Sequence, residues 1–282
     1  MTDFGQQFRL TLITADPVLA AEADQSFVDR IGVDLERLGK AERQRGEDAR
    51  LSDHRLQDLA AVGRALSRAE LFVRLNPLNP DSQREIDTAL RSGAKVLMLP
   101  FFRTAEEVSA FTRFVAKRAK TVILVETASA AVRLRDILTV PGVDEVMFGL
   151  NDLHLELGVN NHFEVLASPL LDALAGEVRR AGLPLSVGGV ARPDDRSLPI
   201  SADLVLAQFP RLGATGAWLS RSFFRHTPPN WDLAEAVGAL RARLTEWASA
   251  SPEMLERARA DLAGQARVAA KNPEAFEPRR RA

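Results

Sequence analysis

Eight short apolar runs, many of them β-branched, recur along the chain, each separated from the next by a longer amphipathic stretch. They fall at residues 9–14, 32–36, 71–76, 95–100, 121–126, 145–150, 185–190 and 217–223. Short runs with little polar alternation suit strands buried on both faces, as in a parallel sheet covered by helices. The intervening segments carry helix signals. Residues 53–67 place Leu56, Leu59, Ala60, Val62, Gly63 and Leu66 at three- and four-residue spacing, and the segment 81–92 starts at a candidate N-cap, Asp81, and ends before Gly93. Segment 104–120 opens with Thr104-Ala105-Glu106-Glu107, a capping box. Segments 129–138, 169–181 and 201–212 read the same way, with Gly182, Gly213 and Gly216 marking ends. Eight strand–helix alternations predict an α/β fold, a closed (β/α)8 TIM barrel, rather than an open doubly wound sheet. An open sheet usually shows a glycine-rich turn after its first strand, and Thr14-Ala15-Asp16-Pro17 is not one.

The barrel domain is expected to span residues 1–226. Pro228-Pro229 then breaks the pattern. Two further helices, at 232–248 and 252–270, are expected to pack on the barrel or on a neighbouring subunit, and 271–282, with Arg279-Arg280-Arg281, reads as a flexible tail. Segment 37–51 is rich in Arg and Glu and has no apolar face. It reads as a loop or exposed helix over the end of the second strand, a candidate mobile lid. With 37 basic and 38 acidic residues the chain has a formal net charge of -1, so no global field draws it to nucleic acid or an anionic membrane. No apolar run is long enough to span a bilayer. The first residues lack a basic stretch followed by an apolar one, so a cytoplasmic protein is expected. The absence of cysteine excludes disulfides, thiolate metal sites and a Cys nucleophile.

In such a barrel the reactive groups stand at the C-terminal ends of strands. Those ends offer Thr14 and Asp16, Asp34 and Glu36, Arg74 and Asn76, Pro100-Phe101, Glu126-Thr127, Asn151-Asp152, Gly188-Gly189, and Ser220-Arg221-Ser222. Glu126 and Asp152 each terminate an apolar run, where a carboxylate must be solvated, paired or metal-bound. A cation would relieve the repulsion between two such acids, and an all-oxygen site with open positions suits Mg2+ or Mn2+. The same acids could instead cap the helices that follow. Arg74 can hold a substrate oxygen through parallel hydrogen bonds, or pair with Asp34 or Glu36. Gly188 and Gly189 would let backbone N–H groups approach an anion, with Asn151 as a further substrate contact, but a glycine pair is also common at such turns. Of five lysines (Lys40, Lys95, Lys117, Lys120 and Lys271) none falls at a strand C-terminus. A Schiff-base aldolase needs one there, so carbonyl chemistry would depend on a metal. Among the histidines, His54 begins the helix after the second strand and could reach the mouth; His154, His162 and His226 read as surface or capping groups.

The same residues carry a resemblance. Val73-Arg74-Leu75-Asn76, the stretch from Gly93 to Pro100 followed by Thr104 to Val108, Val125-Glu126-Thr127, and the stretch from Pro141 to Leu153 ending at Gly158 resemble the HpcH/HpaI aldolase/citrate lyase family. The resemblance implies a (β/α)8 barrel, a trimer or hexamer with exchanged C-terminal helices, and carbon–carbon bond cleavage or formation. It implies Glu126 and Asp152 as Mg2+ or Mn2+ ligands and Arg74 as the group on the enolizable oxygen. Asp34 and Glu36 then match the acidic pair that supports the arginine or a bound water. Arg37 stands where the pyruvate-aldolase branch has its base, a histidine, which leaves His54 or a metal-bound water for that role. The expected substrate is pyruvate or a related 2-oxo acid, reacting through its enolate. The alternatives are an acyl-CoA thioester, whose phosphates Arg257, Arg259 and Arg267 could meet, and a catalytically silent barrel that binds a small acid.

Overall fold

Alternate residues of a barrel strand face inward, so the parity of each run decides what fills the cylinder. In a computed structural model, which describes residues 3–39, 54–225, 227–228 and 230–271, the strands are β1 (Arg9–Ile13), β2 (Arg30–Asp34), β3 (Glu70–Arg74), β4 (Val96–Leu99), β5 (Lys120–Val125), β6 (Glu145–Phe148), β7 (Leu185–Val190) and β8 (Gly216–Leu219). All are parallel and close in chain order, β8 pairing back onto β1. Every expected run contributes a strand, and the fold is the (β/α)8 barrel.

The interior is layered by charge. At the N-terminal end Arg9 and Arg30 each place Nη1 2.8 Å from Glu145 Oε2, Ser186 Oγ donates to Glu145 Oε1 at 2.7 Å, and Lys120 Nζ lies 2.6 Å from Glu70 Oε1. Above them Phe72, Val96, Met98, Val122, Leu124 and Met147 form an apolar plug, with Ile13 and Trp218 packed against it. The barrel is thus a filled core, and only its C-terminal mouth is left for chemistry. A second, larger apolar layer joins the outside of the strands to the helices.

Arg241 fastens the helix Leu233–Ala248 to the start of the chain. Its buried guanidinium donates to the carbonyls of Gly5 (2.7 Å), Phe8 (2.8 Å) and Phe27 (2.9 Å) and pairs with Asp29 Oδ2 at 2.9 Å. The helix Pro252–Ala270 is tied to the barrel by Asn161 Nδ2 donating to the Ala266 carbonyl at 3.1 Å and by Ser201 N donating to Gln265 Oε1 at 2.9 Å. Within the chain, both helices rest on their own barrel.

Several local expectations need correction. His162 is not in a polar loop; it opens the helix His162–Leu166, whose N-cap is Asn161. His154 is no surface group, being buried in the helix Leu150–Leu157 with Nδ1 3.3 Å from the Leu150 carbonyl. Segments 129–138 and 201–212 each form two short helices, broken at Arg133 and Ala207. The helix after β4 ends at Val115, because Ala116 and Lys117 take left-handed conformations, and Lys120 therefore begins β5. The helix Pro17–Gln25, N-capped by Asp16 with proline at N1, went unforeseen, as did Phe4–Gln7. His226, most of segment 37–51 and residues 272–282 lie outside the described residues.

Candidate active site at the barrel mouth

Arg74, the last residue of β3, reaches toward the end of β2, because in-register pairing sets it beside Asp34. Its Nε donates to Asp34 Oδ1 at 2.8 Å and its Nη2 to Asp34 Oδ2 at 2.6 Å, a two-bond fork. Nη1 lies 3.4 Å from Glu36 Oε2. Burial works against the guanidinium charge, but Asp34 and then Glu36 more than offset it, so its pKa is raised. A guanidinium has five N–H donors. Two are spent on Asp34, and the outer edge can still offer donors to a ligand.

Glu126 follows β5 and Asp152 sits in the first turn of the helix after β6. Neither caps a helix. Thr127 caps Ala128–Val132, and Gly149 occupies the N-cap of Leu150–Leu157. Glu126 Oε1 accepts the N–H of Phe101 at 2.9 Å, presented by a backbone with φ of 49°. For a bulky residue this is a strained conformation. A Cβ at Gly149 would come within 2.7 Å of Glu126 Oε2, so only glycine leaves that carboxylate its place.

Three carboxylates, Asp34, Glu36 and Glu126, thus act on one guanidinium, and Asp152 acts on Glu126. Glu36 is 1% exposed, Glu126 2%, Asp34 3% and Asp152 6%. Burial first, then the charges of Glu36 and Asp152, push the Glu126 carboxyl well above the usual carboxylate range, against the pull of Arg74 and the Phe101 N–H. Such an excess of buried negative charge is relieved by protonation or by a cation. Among the described residues no three His, Asp or Glu side chains form a ready-made metal cage. Glu126 and Asp152, whose charges act on one another, could together hold a hard divalent ion, with positions left for water and substrate.

His54 lies at the same rim. Its Nδ1 accepts the N–H of Asp34 at 3.1 Å, so the ring is neutral there and carries its proton on Nε2. Arg37 turns away from chemistry: its Nη2 donates to the His54 carbonyl at 2.9 Å, while Asn76 Oδ1 accepts the N–H groups of Arg37 (2.8 Å) and Leu38 (3.1 Å).

The model of the HpcH/HpaI aldolase/citrate lyase family matches residues 7–180, more than half of the chain. The chain belongs to that family. Solved structures similar to this HpcH/HpaI family member include an HpcH/HpaI aldolase from Desulfitobacterium hafniense DCB-2, 16% identical, covering 76% of this chain and 86% of that one with a TM-score of 0.57. An HpcH/HpaI aldolase/citrate lyase family protein from Burkholderia cenocepacia J2315 is 16% identical over 86% and 95% of the two chains, TM-score 0.60. RipC from Yersinia pestis is 16% identical over 89% and 99%, TM-score 0.57. At such identities the likeness establishes the shared fold. No curated protein matches the sequence.

In this family member, Asp34, Glu36, Arg74 and His54 meet at one rim of the mouth, and the charges of Glu36 and Arg74 act on Glu126. Asp152 joins through Glu126. Asn151 is exposed on the first turn of its helix. Gly188 (φ 49°) is half-buried and Gly189 exposed, in a stretch of β7 where the register with β8 is irregular. Arg259 is engaged by Glu256 and the Ala167 carbonyl, leaving little of its guanidinium for a nucleotide phosphate. Of the described lysines, Lys95 and Lys120 stand at the opposite end of the barrel, where β4 and β5 begin. Sequence reasoning missed Trp218, the Phe101 N–H and Gly149. Inward parity along β8 was the signal that could have found Trp218. No helix of the described residues is long and apolar enough to cross a membrane.

Proposed function

We propose that the barrel mouth is the active site of a divalent-metal-dependent carbon–carbon lyase or aldolase that works through the enolate of pyruvate or a related small 2-oxo acid. The observation that carries this reading is the set of four buried carboxylates at the mouth, three of them acting on Arg74, with the Glu126 carboxyl pushed upward by burial and then by Glu36 and Asp152. Glu126 and Asp152 would hold Mg2+ or Mn2+, which when bound supplies Lewis-acid stabilisation of negative charge on substrate oxygens.

The chain's own residues do the rest. Asp34 and Glu36 fix the Arg74 guanidinium, and its outer edge binds the oxygen on which enolate charge develops. In cleavage of a 4-hydroxy-2-oxo acid the hydroxyl loses its proton to a base and the adjacent carbon–carbon bond breaks. Its electron pair becomes the enolate, and an aldehyde leaves; the enolate then takes up a proton to give the oxo acid. In the tautomer that acceptance of the Asp34 N–H requires, His54 offers a proton from Nε2 rather than a lone pair, which suits hydrogen bonding to the aldehyde oxygen. Serving as the base through Nε2 would require the ring to give up the Asp34 N–H.

Thermal melting with and without Mg2+ and oxalate, a mimic of the pyruvate enolate, tests the site. Saturation at a hundredfold over Kd should add about 2.7 kcal/mol, and Glu126→Gln should abolish the gain. Release of pyruvate or oxaloacetate from candidate hydroxy-oxo acids tests turnover. A ligand-dependent shift without turnover would favour a silent small-acid-binding barrel, and no shift at all would remove the metal reading.

A further inference from the structure

Trp218 lies on β8, in register with Thr11 of β1 and Gly189 of β7, and packs against the apolar plug inside the barrel. Its ring meets Phe72 edge-on, with centroids 6.3 Å apart and planes at 77°. The Arg74 Cζ sits 4.9 Å from the Trp218 ring centroid. Phe72 and the ionic layer below it close the barrel from beneath, yet the indole is half-buried rather than sealed. Its access to solvent therefore runs through the mouth.

We propose that Trp218 is a positioning residue for Arg74 and sets how tightly the guanidinium binds the oxygens of a ligand, an inference that rests on Arg74 being the oxygen-binding group of the proposed function. The two carboxylates orient Arg74, but each also offsets its charge and occupies its donors. The indole face holds the cation through its quadrupole and uses no N–H. The ring lies over Cζ, so the N–H groups that the carboxylates do not hold are left for the oxygens of a ligand. Donors in one plane suit planar oxyanions, such as a carboxylate beside an oxo or enolate oxygen.

The test uses the full-length protein, Mg2+ and oxalate, with affinity read by calorimetry. Trp218→Leu should weaken oxalate binding about tenfold, between the scales of an exposed and a fully desolvated cation–π contact. Trp218→Phe, which keeps an aromatic face, should recover most of that loss. Equal affinity of Trp218→Leu and the wild type overturns the proposal, and so does equal impairment of the Leu and Phe variants, which would make volume rather than the π-face decisive. A direct reading leaves the ring intact: in a Trp231→Phe/Trp247→Phe chain, the remaining Trp218 emission should change with oxalate and saturate at the calorimetric Kd. An unchanged emission overturns the proposal even if Trp218→Leu does not fold. If the wild type itself binds no oxalate in the presence of Mg2+, the underlying reading of the site fails, and this inference with it.

Discussion

Replacing Asp34 by asparagine perturbs the fork that orients Arg74 while keeping the side chain's shape. The charge disappears, and one of two acceptors becomes an NH2 facing guanidinium donors. The Asp34 side chain is 5% exposed and that of Arg74 11%, so solvent screens the pair weakly. Removing one partner from a buried pair costs about 3–5 kcal/mol. Glu36 still lies 3.4 Å from Arg74 Nη1 and balances part of the charge, which lowers the expectation to about 2–4 kcal/mol. An unfolding entropy of about 2.1 cal/mol/K per residue makes 1 kcal/mol worth about 1.7 °C in a chain of 282 residues. Asp34→Asn should therefore lower Tm by about 3–7 °C in circular-dichroism melts, and oxalate affinity should fall as the outer edge of Arg74 loses its fixed direction. Because each acid compensates for loss of the other, Asp34→Asn/Glu36→Gln should cost more than the two single changes added together. A single-variant shift below about 1 °C, or strict additivity, would refute the view of Arg74 as a cation held jointly by both carboxylates.

Other perturbations reach the site and its supports. Gly149→Ala puts a methyl group within 2.7 Å of Glu126 Oε2; it should cost about 1–3 kcal/mol of stability and remove most of the Mn2+-dependent rise in Tm, and an undiminished rise would show that Glu126 does not hold the ion. His162 has its pKa lowered to about 4 by burial and then by His154. Between about pH 6.5 and 4 the unfolded chain therefore binds a proton that the folded chain refuses, and stability falls as pH drops through that window, by at most about 3 kcal/mol. Urea midpoints for His162→Phe should show a flatter pH profile than the wild type over that range. Arg241→Met deletes the donors to four backbone carbonyls, those of Gly5, Gln6, Phe8 and Phe27, and the pair with Asp29; about 3–5 kcal/mol should be lost, seen in melting, and Arg241→Lys should recover little because one ammonium cannot reach so many acceptors.

The barrel was legible because its signal is local. Each strand is a short apolar run, several of them closed by a polar residue, and the strand-end residues Asp34, Arg74, Glu126 and Asp152 were readable as a set without any coordinates. Missed elements had weaker or overlooked local signals. Asp16-Pro17 is a good helix start that the strand count overshadowed, and Phe4–Gln7 is too short to show a period. The burial of His154 and the helical place of His162 were not legible because their polarity says nothing of the neighbours that meet them: the helix Pro252–Ala270 packs on His162–Leu166, which in turn packs on Leu150–Leu157.

What the chain determines by itself is the alternation of strand and helix, and therefore which residues arrive at one end of the cylinder. The choice between helix caps and a charged cluster for Glu126 and Asp152 belonged to the tertiary structure, because Thr127 and Gly149 take the cap positions only once the turns are formed. The tertiary structure likewise placed the Trp218 ring on Arg74 and the Phe101 N–H on Glu126. These are contacts between strands far apart in sequence, set by the stagger at which the sheet closes, and no spacing within a single run encodes that stagger.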